Sequence, residues 1–149
     1  MQLIGFNFIK ISGERKLTFE GTYKISPNIE ITNIEKDELE VLKGQDLVKI
    51  SFRYTLSYTS EEKDRDGKKK SEGNILGQLL LEGMLVLSSE KEGEFKEMIK
   101  KWKKKETDPQ VSEAVFTIIL QKCIAKIMEL EENLGLPIYT PPIKVKIES

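Results

Sequence analysis

Apolar and polar residues alternate strictly between residues 48 and 58. The apolar positions of this run are Val48, Ile50, Phe52, Tyr54, Leu56 and Tyr58. A polar residue separates each of them from the next. Because residues two apart share one face of a pleated strand, this pattern predicts a strand with one packed face and one face in water.

The next apolar segment, residues 75–87, does not alternate. One face of an extended chain would carry Leu79, Leu81, Leu85 and Leu87. The opposite face would carry Leu76, Leu80, Met84 and Val86. The segment is therefore predicted to be a strand with apolar residues on both faces, and this surplus of apolar surface is the chain's main indication of function.

Two more extended segments precede these strands. The first covers residues 3–11, which are rich in Ile and Phe. The second has three isoleucines between residues 25 and 31, with Pro27 near the strand start or on a sheet edge, where a missing amide is tolerated. Residues 35–45 are predicted to be a polar connection, and the highly charged residues 60–73 a hairpin loop.

Residues 95–102 have helical periodicity. Four apolar residues share one face: Phe95, Met98, Ile99 and Trp102. Six lysines surround them: Lys96, Lys100, Lys101, Lys103, Lys104 and Lys105. The pattern predicts an amphipathic helix that packs its apolar stripe and leaves its lysines in water. An RNA or phosphate site is the alternative, although the sequence has no glycine-rich phosphate loop and no set of stacking aromatics.

A second, longer helix is predicted to end near Gly135. Thr107 or Asp108 can cap its start, and Pro109 suits its first turn. Six of the seven residues 114–120 are apolar, so this part is apolar around nearly its whole circumference. Such a helix is buried on more than one side, which in a small domain predicts oligomerisation.

The order of these elements predicts a single α+β domain over residues 1–149. Its architecture is an antiparallel β-sheet meander of about four strands, packed with a short and a long α-helix. A proline-containing arm, residues 136–142, and a short alternating run, residues 143–147, follow the long helix.

Composition excludes several classes of function. The 24 Lys and Arg residues against 25 Asp and Glu leave a net charge of -1, which is not that of a typical nucleic-acid-binding protein. With no histidine and one cysteine, neither an enzyme site, a metal nor a cofactor is predicted. Glu20, Glu30 and Glu82 form no recognisable catalytic pair. Neither a signal peptide nor a membrane-length apolar run is present, so we expect a cytoplasmic protein without membrane insertion.

Three local motifs follow one another in a familiar order. Phe6, Phe8 and Ile11 lead to Leu17-Thr18-Phe19-Glu20, a strand contains Glu82-Gly83-Met84-Leu85, and the long helix runs into Leu136-Pro137-Ile138 and Pro141-Pro142-Ile143. In this order and spacing, over most of the chain, the sequence resembles a divergent member of the SecB-like chaperone family, the protein-export chaperone SecB and its relatives.

The resemblance implies an ATP-independent holdase that binds unfolded polypeptides in apolar grooves and assembles as a homotetramer, a dimer of dimers. It places the groove between the opening strand and the long helix. The client-binding residues would then be Phe8, Ile11, Phe19, Ile118 and Ile119. Core or subunit-interface packing accounts for such large apolar side chains at least as well.

The sequence differs from SecB proteins in features that couple those proteins to the export pathway. SecB proteins are typically strongly acidic, pass clients to the motor SecA through an acidic sheet face and carry a C-terminal tail with metal ligands. Here the net charge is -1, Gln78 stands where the acidic contact is expected, and the sequence ends at Ser149 without such a tail. These features argue against coupling to SecA and favour a general holdase, or a chaperone dedicated to one partner such as an antitoxin.

Two other classes of function stay open. A curved sheet closed by a long apolar helix can enclose a small apolar ligand. The lysine cluster of residues 96–105 can associate with RNA, which would give binding a steep salt dependence, although the near-neutral net charge disfavours nucleic acid.

Overall fold

Four strands and two helices make up the computed structural model, which describes residues 1–37, 46–61, 73–89, 93–106 and 109–139. The strands are β1 (Gln2–Arg15), β2 (Tyr23–Lys36), β3 (Asp46–Ser60) and β4 (Ile75–Ser89), and the helices are α1 (Glu94–Lys103) and α2 (Pro109–Leu134). The predicted α+β class is confirmed. Four predicted segments lie wholly or partly outside the described residues: the helix cap at 107–108, residues 140–142 of the arm, the alternating run 143–147 and most of both predicted connections.

The strands form one antiparallel sheet in the order β1-β4-β3-β2. The meander holds for β2, β3 and β4, whereas β1 lies beside β4, and residues 16–22 cross from one edge of the sheet to the other. Backbone hydrogen bonds pin both ends of this crossover: Lys16 N–H donates to the Leu76 carbonyl at 2.9 Å, and Glu61 N–H donates to the Thr22 carbonyl at 3.0 Å. Pro27 lies in β2, an edge strand as predicted.

The core lies between one face of the sheet, here the inner face, and both helices. The six apolar residues predicted from the alternation of β3 are all buried there, as are Leu79, Leu81, Leu85 and Leu87 of β4. Leu80, Met84 and Val86 lie on the opposite, outer face and are half-buried. The prediction for Leu76 is wrong, because a register shift beside it places its side chain in the core.

Helix α2 faces the core with a stripe repeated at every fourth residue. Its members are Val115, Ile119, Cys123, Ile127 and Glu131, all of them buried. The helix ends as predicted at Gly135, whose φ of 64° allows Leu136 N–H to donate to the Glu131 carbonyl at 2.9 Å. This bond closes a Schellman motif and turns the chain into the arm.

The exposed apolar side chains of α2 lie in its second half. Residues 114–120, predicted to need a partner, are all buried or half-buried within the chain itself. Ile124 and Met128 are exposed instead, because the second half of the helix packs on one side only.

Among the glycines of the four strands, Gly83 has the least room for a side chain. A Cβ there would lie 2.6 Å from the Asn7 carbonyl oxygen of β1 and 2.7 Å from Phe52 Cζ of β3. We expect Gly83→Ala to lower the free energy of unfolding by about 1–3 kcal/mol, because the strands must move apart. Urea unfolding followed by circular dichroism measures this.

Gly5→Ala is the matched control for this substitution. The nearest atoms to a Cβ at Gly5 belong to Val86, at 3.8 Å. Its unfolding free energy should stay within about 0.5 kcal/mol of the parent value. Equal losses in the two variants would contradict the close packing at Gly83.

Candidate functional site

Apolar side chains at both margins of the inner face are only half-buried. On β1 they are Leu3, Phe6 and Phe8, and on β2 they are Ile25, Ile29 and Ile31. Four strands about 4.8 Å apart make a sheet roughly 15–19 Å wide, whereas one helix is about 10–12 Å across. Helix α2 packs along β1 and β4, and α1 covers only the region where β2 ends and β3 begins. The helices therefore leave apolar margins that remain accessible.

The β1 margin continues onto an exposed apolar surface. Register shifts in the pairing with β4 follow Leu3 and Phe8, and they leave Ile4 and Ile9 without a partner residue. Ile9 is 63% exposed, and Ile11 is also exposed. Helix α2 passes next to this strand, because a Cβ on Gly13 would lie 2.8 Å from Leu134 Cδ1.

Phe19 lies in the crossover, where the apolar margin of β1 ends. Its ring centroid lies 5.4 Å from that of Tyr23 and 6.4 Å from that of Tyr58. The Arg15 guanidinium lies 5.6 Å from the same ring, and Arg15 Nη1 also donates to the Leu134 carbonyl oxygen at 3.3 Å. Arg15 thus ties the crossover to the end of α2. The sequence patterns did not point to this role, although arginine is rare in this lysine-rich chain.

Glu131 anchors the arm that follows α2. The Tyr58 hydroxyl donates to Glu131 Oε2 at 2.6 Å, and the Tyr139 N–H donates to the same oxygen at 2.7 Å. The Pro137 carbonyl oxygen lies 3.1 Å from the Tyr58 hydroxyl. Burial raises the pKa of Tyr58, and its hydrogen bond to Glu131 raises it further, so the phenol stays protonated.

Sequence reasoning missed Glu131, which is fully buried. The signal was present, because Glu131 continues the four-residue spacing of Val115, Ile119, Cys123 and Ile127. A carboxylate at the end of an otherwise apolar stripe needs buried donors. Its Oε1 has no hydrogen-bond partner among the described residues.

The described residues carry no clear reactive centre. Burial raises the pKa of the Cys123 thiol to about 12, which leaves it protonated and a poor nucleophile. Glu82 and Glu30 both contact Arg53, at 2.9 Å and 3.7 Å, in an ion-pair network on the outer face. In the described ranges, no three His, Cys, Asp or Glu side chains are placed to hold a metal ion, and no helix has the length and apolar character to cross a membrane.

Four of the five predicted client-binding residues are accessible, because Ile11 is exposed and Phe8, Phe19 and Ile118 are half-buried. Phe8 and Ile11 lie on the inner face of β1, opposite Gly83 and Leu81. Phe19 lies in the crossover at the Glu131 end of α2, and Ile118 is half-buried about 20 Å away along the helix axis. The prediction for Ile119 is wrong, because its side chain is fully buried in the core and cannot reach a client. The four accessible positions suit an extended chain better than a compact ligand.

Comparison with known proteins identifies the fold. No protein-family model matches the chain, and no curated protein matches it in sequence. Among solved structures it is similar to the Mycobacterium tuberculosis SecB-like chaperone Rv1957, solved in complex with a ChAD peptide from the antitoxin HigA1 (Rv1956). The TM-score is 0.53 at 10% sequence identity, covering 99% of this chain and 90% of the other. The chain therefore has the SecB-like fold, as the sequence resemblance predicted.

Removing the Tyr58 hydroxyl tests the anchoring of the arm. We expect Tyr58→Phe to lower the free energy of unfolding by about 1–3 kcal/mol, because a buried Glu131 oxygen loses a donor. Urea unfolding at neutral pH measures the change.

The control is Tyr23→Phe, at a tyrosine that is 41% exposed. Its unfolding free energy should change by less than about 0.5 kcal/mol. A Tyr58→Phe protein as stable as this control would show that the Glu131 contacts do not hold the arm.

Proposed function

We propose that this protein is an ATP-independent holdase that binds unfolded or extended polypeptides along the apolar margins of its inner face. The observation that carries the proposal is the row of half-buried apolar side chains on β1, β2 and the crossover, which continues onto exposed isoleucines. Phe8, Ile11, Phe19 and Ile118 are the proposed client contacts. Ile119 is not among them, because it is fully buried in the core.

An elongated, shallow apolar surface suits clients without a fixed sequence. Each Å² of apolar area removed from water contributes about 25 cal/mol, so several modest contacts offset the entropy cost of association. Binding that is restricted to the unfolded state holds a client back from folding and aggregation by mass action alone. No nucleotide needs to be consumed.

The SecB-like fold and the peptide bound by the Mycobacterium tuberculosis neighbour support a polypeptide client. An antitoxin, as in that neighbour, is one dedicated partner of the proposed kind. The outer face supports the proposed independence from SecA, because Arg53 and Lys49 are paired there with Glu82, Glu30 and Glu35. These two cations offset most of the charge of the three carboxylates, so the face presents less of the acidic field that such a motor would recognise.

We further propose that the chain assembles as a tetramer, a dimer of dimers. Exposed apolar residues lie on two adjoining elements: Ile4 and Ile9 on the edge strand β1, and Ile124 and Met128 on α2. An edge strand with exposed apolar residues favours pairing with a second copy. Burying the exposed face of α2 would remove Ile124 and Met128 from water.

Suppression of aggregation tests the holdase directly. We expect the protein, without nucleotide, to keep a chemically unfolded client in solution at near-stoichiometric amounts of tetramer. Phe19→Ser should weaken client binding about tenfold, equivalent to about 1.4 kcal/mol, because it removes the ring at the end of the margin. Light scattering of the client and fluorescence titration measure the two effects.

Met84→Ser is the matched control, since Met84 is half-buried on the outer face. It should suppress aggregation like the parent protein. Urea unfolding of both variants checks that they are folded. A parent protein that fails to suppress aggregation, or a control as impaired as Phe19→Ser, would refute binding on the inner-face margins.

The exposed face of α2 provides a test of assembly. We expect a mass of about 68 kDa for the parent protein, four times the 17.1 kDa chain, and a smaller species for Met128→Glu. A charge placed in an apolar interface must lose its hydration, which opposes association. Multi-angle light scattering measures both masses.

Leu17→Glu is the control for assembly, because Leu17 is fully exposed on the crossover. This variant should keep the parent mass. A parent protein that is monomeric, or a Met128→Glu protein that keeps the parent mass, would contradict an interface on this face.

A further inference from the structure

A groove of about 610 Å³ lies between α1 and the adjoining ends of β2 and β3. Its apolar side chains are Leu47, Phe95 and Ile99. Its charged side chains are Lys36, Lys96, Lys100, Lys103 and Asp46. We call it the α1 groove. An apolar floor with a lysine rim is a different chemistry from the inner-face margins.

The lysines of the α1 groove are available to a ligand. All four are exposed, and none forms an ion pair with another described residue. The one carboxylate of the groove is already engaged, because Asp46 Oδ2 accepts the N–H of Gly93 at 2.9 Å. The rim therefore has an excess of positive charge, although the whole chain carries a net charge of -1.

A second groove adjoins the α1 groove on the other side of the helix. This groove of about 670 Å³ lies on the side facing Ile34 of β2 and contains Trp102, Lys103 and Lys105. It shares Lys103 with the α1 groove. Of its two carboxylates, Glu35 is paired with Lys49 at 2.8 Å.

We propose that the α1 groove binds acidic segments of polypeptides, with acidic side chains on the lysine rim and aliphatic side chains on the floor. The inference rests on the proposed function and specifies its client class, namely chains that carry apolar residues interspersed with Asp and Glu. Charge complementarity selects this occupant, because four available lysines surround an apolar floor.

The same features favour a polypeptide over RNA. Phe95 is nearly fully buried in the floor and offers no face on which a base can stack. The rim consists of lysines, which act as point charges, and not of arginines, which hold phosphate in a bidentate geometry. Ile99, the accessible apolar side chain of the floor, gains from contact with leucine or valine side chains and not from a phosphodiester backbone.

Three short labelled peptides of identical length test the inference. The first alternates Leu with Glu, the second replaces Glu by Gln, and the third replaces Glu by Lys. We expect the Glu peptide to bind about tenfold more tightly than the Gln peptide at low salt, and the Lys peptide to bind least. The preference should shrink in about 0.5 M salt, where charges are screened over a few Å.

Charge reversal locates the preference. The double variant Lys96→Glu and Lys100→Glu should bind the Glu and Gln peptides equally. The double variant Lys24→Glu and Lys122→Glu changes the net charge by the same amount at exposed lysines outside the groove, and it should keep the preference. Fluorescence anisotropy measures each affinity.

Equal binding of the Glu and Gln peptides to the parent protein would overturn the inference, as would equal loss of preference in the two double variants. A single-stranded RNA oligonucleotide that displaces the Glu peptide more effectively than unlabelled Glu peptide would overturn it in favour of nucleic acid. Suppression of aggregation separates the two proposals. If the protein suppresses aggregation but does not prefer the Glu peptide, only the groove assignment is overturned. If it prefers the Glu peptide but does not suppress aggregation, the holdase proposal is overturned.

Discussion

A single long helix is too narrow to cover a four-stranded sheet, and this mismatch determines what the surface of the protein looks like. Helix α2 buries the centre of the inner face with residues repeated at every fourth position, from Val115 to Ile127. Helix α1 protects only one end. The inner faces of β1 and β2 also carry apolar side chains, but these are only half-buried, so the fold leaves accessible apolar surface along both edges of the sheet.

The other end of the sheet is held by polar contacts. Arg15 bridges the Phe19 ring and the last carbonyl of α2, while Tyr58 and Glu131 fix the arm beside it. These groups surround the C-terminal end of α2, and they fix the position of Phe19 relative to this helix. A surface made of shallow contacts depends on such fixed edges, because a mobile edge would add an entropy cost to every binding event.

Local pattern was sufficient for much of the fold. Strict alternation identified the buried face of β3, and Gly135 marked the end of α2. Both signals depend only on residues that are close together in the sequence. The place of β1 beside β4 and the inward position of Leu76 depend on long-range pairing and on a register shift, which leave no local signature. Of the site, sequence resemblance suggested the apolar residues, but it could not reveal that Phe19 and Ile118 lie at separate points of an extended surface.

Hydrogen–deuterium exchange of the full chain, with and without an unfolded client, tests the central claim most directly. Client binding on the inner-face margins predicts slower exchange in the crossover, residues 16–22, and along β1 and β2. The amides at the centre of β3 and β4 should not change, because they are already protected within the sheet. Protection confined to helix α1 would place the client only in the α1 groove and would contradict binding on the margins. No protection at all while the client stays bound would contradict it as well.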